Sequence, residues 1–396
     1  MMGEKRNIAM VLDNAFVSDL RVEKEALSLI GDGFQVTIFC HQDPNLPQRE
    51  TLKNGIQLER ILDDFLFYPL RSSYKSNMQR AAKRILAHHP DFVHCHDFFT
   101  LEIGAIMKGL NPSIFLAYDA HEYFKKWAFY QDLPDPLNRF KGYLSWRFLI
   151  WRERANSKKA DLVISTTSAI CDKMKSNYGL NKQIMALRNI TSLTPSGVAG
   201  QDIRSQLGLK DGHILVQSGN IYQTYDQLRS MFDAVLKIDN LVFVLIGNRP
   251  RFYEVKNWVE KHDAYRFKIL FLDYNAASLY DQLSSADFGV LYMKTDVWES
   301  HRLTSPNRIM EYSLCGLPFL SVDQFSSHEL NNKYGHVIFY DLNKADDFGL
   351  SLTKMMAELN ERKARATCIK DDLSWEKEFA PVLAIYKRAG RVDSSQ

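Results

Sequence analysis

Short apolar runs and amphipathic stretches of helical length alternate along almost the whole chain. Unbroken apolar runs suit strands buried on both faces, and amphipathic stretches suit the crossover helices that join parallel strands. In the first half the pattern predicts strands over 8–12, 35–39, 92–96, 114–118, 162–165 and 184–187, with helices over 22–30 and 76–88. In the second half it predicts strands over 214–217, 242–246, 268–271, 288–291, 318–321 and 337–339, with helices over 226–237, 253–262, 276–284 and 307–314. Two successive series of βαβ units make an α/β protein of two Rossmann-like domains. Between them, 191–201 reads TSLTPSGVAGQ, small and polar with Pro and Gly, as linkers do. The expected division is an N-terminal Rossmann-like domain over 1–190 and a C-terminal Rossmann-like domain over 191–374; an amphipathic helix within 375–396 returns to the N-terminal domain. Ligands of such sheets bind at the C-terminal ends of the strands, so two domains facing across a cleft are expected to present their chemistry there.

Composition excludes some alternatives. The 396 residues exceed one ordinary α/β core, and 45% hydrophobic with 24% charged residues is usual for a soluble globular protein. A formal net charge of +3 is too weak to argue for nucleic acid. The five cysteines, Cys40, Cys95, Cys171, Cys315 and Cys368, include no CxxC pair. That speaks against a disulfide framework or structural zinc and for a reducing compartment. The first residues hold no apolar stretch long enough for a signal peptide, and the most apolar run, 241–247, has strand length. The expectation is a cytoplasmic protein with no transmembrane anchor.

The segment 305–318, SPNRIMEYSLCGLP, carries the most specific chemistry. Pro306 suits the first turn of a helix, with Ser305 as its N-cap, and Gly316 ahead of Pro318 ends it. A helix N-terminus presents free N–H groups and partial positive charge, a natural seat for a diphosphate. Arg308 and Glu311, three apart, share a face: a guanidinium able to clamp phosphate by paired bonds, and a carboxylate able to accept two ribose hydroxyls. On spacing alone, a plain surface helix with an Arg–Glu pair is an equal reading. The segment closely resembles the nucleotide-sugar motif of the family 4 glycosyltransferases, SPNKxxEYxxxGxP, with Arg308 in the lysine's place and Glu311 in that of the ribose-binding glutamate. The resemblance implies that Arg308 holds the diphosphate and Glu311 the ribose, with Ser305, Pro306 and Asn307 completing the donor seat. Where many relatives carry a second, upstream glutamate, this chain has Leu303, and Glu299 is the nearest upstream acid.

A second segment, AYDAHEYF over 117–124, follows a predicted strand and puts His121 at its C-terminal end. A histidine there relays a proton or donates to developing charge near neutral pH, although a lone histidine is more often one satisfied in a loop. The segment resembles the family's DxHE stretch, in which a histidine lies beside the reacting sugar. By that resemblance His121 joins Glu311 and Arg308 as catalytic, flanked on the acceptor side by Asp119 and Glu122. HCHD, 94–97, resembles the family's HxHD segment, which adds Asp97 to the acceptor side. His94 and His96 also have metal-ligand spacing on a strand, but no full ligand set is evident. Asp19 opens a predicted helix; capping is its first reading and acceptor contact its second. VQSGN and LIGNRP place Gly219 with Asn220, and Gly247 with Asn248, after strands, where glycine lets backbone approach a ligand. They look like turns of the family's nucleotide domain. Relatives commonly set an Arg and a Lys shortly after the first of these turns. Here NIYQTYDQLR has no base before Arg229, which leaves more to Arg308, the helix end, and Arg249 or Arg302.

The resemblance spans nearly the whole chain. It implies a GT-B fold and retaining, metal-independent transfer of a hexosyl-type sugar, with no cofactor beyond the nucleotide-diphosphate sugar as donor substrate, to a glycan or lipid-linked acceptor. The stretch from Phe124 to Lys159 is crowded with aromatics and bases, among them Trp127, Trp146, Arg147, Trp151 and Arg152. That mix suits an interfacial helix against anionic lipid and, equally, a packed helical insert with a basic face. Peripheral contact with the inner face of the cell membrane, in polysaccharide biosynthesis, is the expectation that goes with a lipid-linked acceptor. No nucleic-acid motif accompanies the basic residues. A nucleotide-sugar epimerase of the same architecture and a non-catalytic nucleotide-sugar-binding protein are the alternatives.

Overall fold

The computed structural model describes residues 6–17, 19–62, 73–126, 130, 133, 135–191, 193–295 and 298–390. It divides into two compact units, one of Met1–Arg188 with Glu376–Gln396, the other of Asn189–Trp375.

The first unit runs β1 (Asn7–Val11), α1 (Leu20–Gly31), β2 (Gln35–His41), β3 (Arg49–Thr51), β4 (Gln57–Leu62), α2 (Tyr74–Leu86), β5 (Phe92–His96), α3 (Asp97–Leu110), β6 (Phe115–Ala120), α4 (Pro136–Ser157), β7 (Leu162–Ser165), α5 (Ser168–Tyr178) and β8 (Gln183–Ala186). Its sheet has the order β3-β4-β2-β1-β5-β6-β7-β8, parallel except where β3 meets β4. Every residue of the central strand β5 is buried, as expected of a strand covered on both faces. The parallel register sets His96 beside Asp119 on β6. Helix α1 is capped by Asp19, whose side chain accepts from Val22 N–H at 3.2 Å. Its inward face of Val22, Ala26 and Leu29 also buries two charged residues, Arg21 and Glu25.

The second unit runs α6 (Ile203–Leu207), β9 (His213–Ser218), α7 (Tyr225–Leu236), β10 (Leu241–Gly247), α8 (Pro250–Glu260), β11 (Ile269–Asp273), α9 (Leu279–Ser284), β12 (Phe288–Leu291), α10 (Glu299–Leu303), α11 (Asn307–Leu314), β13 (Phe319–Ser321), α12 (Phe325–Tyr334), β14 (Val337–Phe339), α13 (Asp347–Ala357) and α14 (Leu359–Thr367). Its sheet is wholly parallel, ordered β11-β10-β9-β12-β13-β14. The chain closes with α15 (Trp375–Ala389), which lies almost entirely in the first unit. There Tyr386 is fully buried, its ring 5.3 Å from that of Phe92 and its hydroxyl 2.9 Å from His94 Nδ1.

All twelve predicted strands are present, with ends moved by one or two residues. The pattern missed β3 and β4. β3 is three polar residues at a sheet edge, and β4 begins with an exposed glutamine. Helix α3 is buried along most of its length and leaves little polar face to signal a period.

Helix α11 is locked onto its sheet by Tyr312. The tyrosine hydroxyl accepts from Ser218 N–H at 3.2 Å and donates to Val290 carbonyl at 3.2 Å. Gly289 on β12 leaves room for that ring: a Cβ there would stand 2.8 Å from its nearest carbons. A ring tethered at its hydroxyl cannot retreat, so Gly289→Ala is expected to destabilise the second unit by about 1–3 kcal/mol through overpacking. Thermal unfolding checks this, and an unchanged midpoint contradicts it.

Candidate active site

In the second unit the candidate residues gather where β9 ends and α11 begins. Gly219 has φ +81°, a conformation glycine adopts without strain, and Arg308 Nε would lie 3.7 Å from a Cβ there. Arg308, on the first turn of α11, is 8% exposed. Its Nη2 donates to the carbonyl of Asn220 at 3.3 Å, while Nη1 is buried with no partner among the described residues. The Ser305 hydroxyl is likewise buried and unpartnered. Buried donors left open are costly, and an arriving acceptor relieves that cost. The first N–H groups of α11 add further donors and the positive end of its dipole. These groups are suited to an anion.

The helix start differs from expectation. Pro306, with φ −59° and ψ 138°, is itself the cap residue and Asn307 the first helical one, and no side-chain cap bond forms. Ser305 is therefore not the N-cap, because that ψ keeps Pro306 out of the helix. Asn307 is exposed and its side chain accepts from Asn189 Nδ2 at 3.0 Å. The plain surface-helix reading fails at Arg308, which is buried.

Glu311 lies one turn further along the helix. Burial lifts its carboxyl to about 7, against the opposing pull of Arg308 and the Ser218 hydroxyl. Tyr274, just after β11, feels this carboxyl: burial and then the Glu311 charge raise its phenol. Tyr274 and Ser218 join the candidate residues here. A single aromatic in a loop and a serine inside an apolar strand gave no signal in the sequence. Gly247 is explained by packing, since a Cβ there would stand 2.7 Å from the Phe252 ring. Asn248 and Arg249 are exposed in the following turn, and Arg302 is engaged by Asp323 at 3.5 Å. Leu303, where relatives carry an acid, is buried.

In the first unit His121 sits at the end of β6 among buried charges. Asp119 is fully buried, against the His121 ring. It takes a two-point bond from Arg21, Nε to Oδ2 at 2.8 Å and Nη2 to Oδ1 at 2.9 Å, and its Oδ2 lies 3.2 Å from His121 Nε2. Burial disfavours the Asp119 carboxylate, but Arg21 and then His121 outweigh that and hold it well below its usual range. On its other side, His121 Nδ1 lies 3.2 Å from Asp97 Oδ2, and His121 N–H donates to Asp97 Oδ1 at 3.2 Å. Asp97 has φ +62°, a strained conformation that aspartate tolerates better than most residues. Glu122 is exposed; the crowding protein around it, and then Asp97, raise its carboxyl. Asp19 caps α1, as its first reading held.

Beneath this pair, His94 and His96 stack with ring centroids 4.4 Å apart. Burial lowers the pKa of both. Burial and then the nearby Asp119 raise Glu25 well above the carboxylate range. Glu25, His94, His96 and Asp119 each bring one possible ligand atom to within 4.8 Å of the others, the spacing of a metal shell. Arg21 supplies the positive charge there, with Nε 3.1 Å from Glu25 and 2.8 Å from Asp119. A metal ion would have to displace this guanidinium, so we assign no ligands.

The aromatic stretch separates into packed and exposed members. Trp146 donates to the carbonyl of Phe124 at 3.3 Å, and Arg152 Nε donates to the buried Glu102 at 3.0 Å. Leu137, Phe140, Leu144 and Trp151 are exposed on α4. Trp127 lies outside the described residues. Among the described residues no helix is long and apolar enough to cross a membrane.

Comparison with known proteins agrees with this architecture. Residues 22–191 match the family model described as Glycosyltransferase Family 4. No curated protein matches the sequence. Among solved structures, the sucrose-phosphate synthase of Thermosynechococcus elongatus superposes with a TM-score of 0.70 at 15% identity, covering 97% of this chain and 99% of that one. A glycosyltransferase of Rickettsia africae gives 0.70 at 14% identity, covering 98% and 100%. Anabaena HepE in complex with UDP gives 0.64 at 14% identity, covering 99% and 100%. Residues 22–191 thus match the Glycosyltransferase Family 4 model, and the two parallel-sheet units share the GT-B fold of these solved structures along nearly the whole chain.

Proposed function

We propose that the chain transfers a hexosyl-type sugar from a nucleotide-diphosphate donor, with retention and without a metal, to a glycan or lipid-linked acceptor. The observation that carries the donor reading is the Arg308 guanidinium, buried beside the N-terminus of α11 with Nη1 unpartnered. Solved relatives add support, since HepE is described in complex with UDP and with UDP-glucose. In this reading the departing diphosphate gains negative charge as the glycosidic bond breaks. Arg308 and the N–H groups of α11 stabilise that charge where it develops. Glu311 accepts the ribose hydroxyls and so orients the donor. His121, with Asp97 and Glu122 nearby, serves the sugar and acceptor side.

A thermal-shift screen with nucleoside diphosphates and their sugars tests the donor reading. A nucleotide held at 100 times its dissociation constant stabilises by about 2.7 kcal/mol. A rise in midpoint with a nucleoside diphosphate such as UDP, lost in Arg308→Ala, supports the seat; no rise with any of them overturns it. Incubation with the sugar nucleotide alone separates transfer from epimerisation, because an isomer formed without acceptor contradicts transfer.

The exposed residues of α4 fit contact with anionic lipid at the cytoplasmic face of a membrane. Leu137, Phe140, Leu144 and Trp151 recur at helical spacing amid Arg139, Lys141 and Arg147. Each large apolar side chain withdrawn from water contributes about 1.5–3 kcal/mol. Phe140→Glu is therefore expected to weaken co-sedimentation with phosphatidylglycerol vesicles by about tenfold or more. Equal binding by the variant removes α4 from the contact.

A further inference from the structure

The ring of His121 has a carboxylate at each nitrogen: Asp97 Oδ2 at 3.2 Å from Nδ1, and Asp119 Oδ2 at 3.2 Å from Nε2. A neutral imidazole carries one N–H and satisfies only one of them; a doubly protonated ring satisfies both. Charge balance points the same way. Arg21 and the facing groups come from several elements. Helix α1 brings Arg21 and Glu25, β5 brings His94 and His96, β6 brings Asp119, and α3 brings Asp97. Glu122 follows in the chain and is exposed. Burial raises the Glu25 carboxyl and lowers the rings of His94 and His96, which disfavours the charged form of each. Asp119 and, more weakly, Asp97 act on one guanidinium, that of Arg21. Both carboxylates also meet the His121 ring, where a positive charge pairs with each.

We propose that Asp97 and Asp119 are positioning residues that keep the His121 ring doubly protonated, so that it serves transfer as a standing positive charge and carries no proton. The part of this that concerns transfer rests on the glycosyltransferase reading; the protonation state does not. Two features support the arrangement. Asp97 adopts its strained φ of +62° while its second oxygen accepts from the His121 backbone, so ring and main chain are fixed together. Asp119 in turn is fixed by the two-point bond from Arg21. Burial opposes a charge on the ring, yet Asp97 and then Asp119 outweigh it and raise its pKa well above the usual histidine value. A general base needs one nitrogen free to take a proton, and each nitrogen of this ring faces a carboxylate.

The test is a nitrogen-15 NMR titration of the imidazole rings in the full chain, with His121→Gln to assign the signal. His121 is expected to stay doubly protonated through neutral pH, while His94 and His96 stay neutral. Asp97→Asn is the informative variant, because asparagine keeps the shape and tolerates the same backbone angle. Asp119→Asn is a poorer choice, since it strands the buried guanidinium of Arg21. In Asp97→Asn the His121 midpoint is expected to fall by about 1–3 pH units. The transfer profile of that variant gains a limb that drops with rising pH through neutrality, absent from the unchanged protein. A His121 ring found neutral at pH 7 overturns the proposal, as does an Asp97→Asn midpoint or pH profile that does not move. If the protein proves not to transfer sugar, the titration still decides the protonation state, so the two readings fail separately.

Discussion

Arg308→Ala is expected to lower kcat for transfer by about 100- to 1,000-fold, the usual cost of removing one preorganised donor from developing negative charge. The guanidinium lies within the second unit with one bond to the Asn220 carbonyl and one nitrogen open. The main loss should therefore fall on kcat, because charge on the diphosphate grows as the bond breaks and the bound ground state needs less of it. Arg308→Lys restores the charge without the paired donors and should recover only part of the rate. Steady-state kinetics with release of nucleoside diphosphate measures both variants. A change of no more than a few-fold in Arg308→Ala places the leaving group elsewhere.

Glu311→Ala is expected to lower kcat/KM by about 100-fold, through loss of hydrogen bonds to a charged acceptor contributing about 1.5–3 kcal/mol each. The fold should survive, because Arg308 acts on this carboxyl without a direct ion pair among the described residues. Its titration supplies an independent check. Burial raises it from 4.5 in the unfolded chain to about 7 in the folded protein. Since the folded state binds this proton more tightly, its contribution to stability is present below pH 4.5 and is lost as pH rises through about 7. Donor binding runs the other way, strengthening as the carboxylate forms. Glu311→Gln is expected to flatten both dependences. A variant whose nucleotide affinity keeps the unchanged protein's pH dependence removes Glu311 from the ribose site.

The apolar runs made the two sheets legible, since a parallel strand buried on both faces advertises itself in one dimension. Strand β3 did not, because Arg49–Thr51 gains its place by pairing at an edge and not by burial of its side chains. The resemblance of 305–318 to a nucleotide-sugar motif singled out Arg308 and Glu311, which the structure sets on one helix, although Pro306 proved to be the cap and not the first turn. The cluster around His121 was legible only in part. Its lower layer joins Arg21 and Glu25 on α1 to His94 on β5 and Tyr386 on α15, partners up to 292 residues apart. No local pattern announces such a meeting. A buried arginine and glutamate on the inner face of α1 look, in sequence, like an ordinary solvent-facing pair.

Because α15 supplies Tyr386 to the first unit, that unit is discontinuous in the chain, with Asn189–Trp375 inserted into it. During synthesis the inserted unit emerges whole and is free to fold, while the first sheet waits for residues 376–389 before His94 gains its tyrosine and Phe92 its cover. The second unit is thus complete on the ribosome before the first, whose sheet until then lacks the cover that Tyr386 gives Phe92.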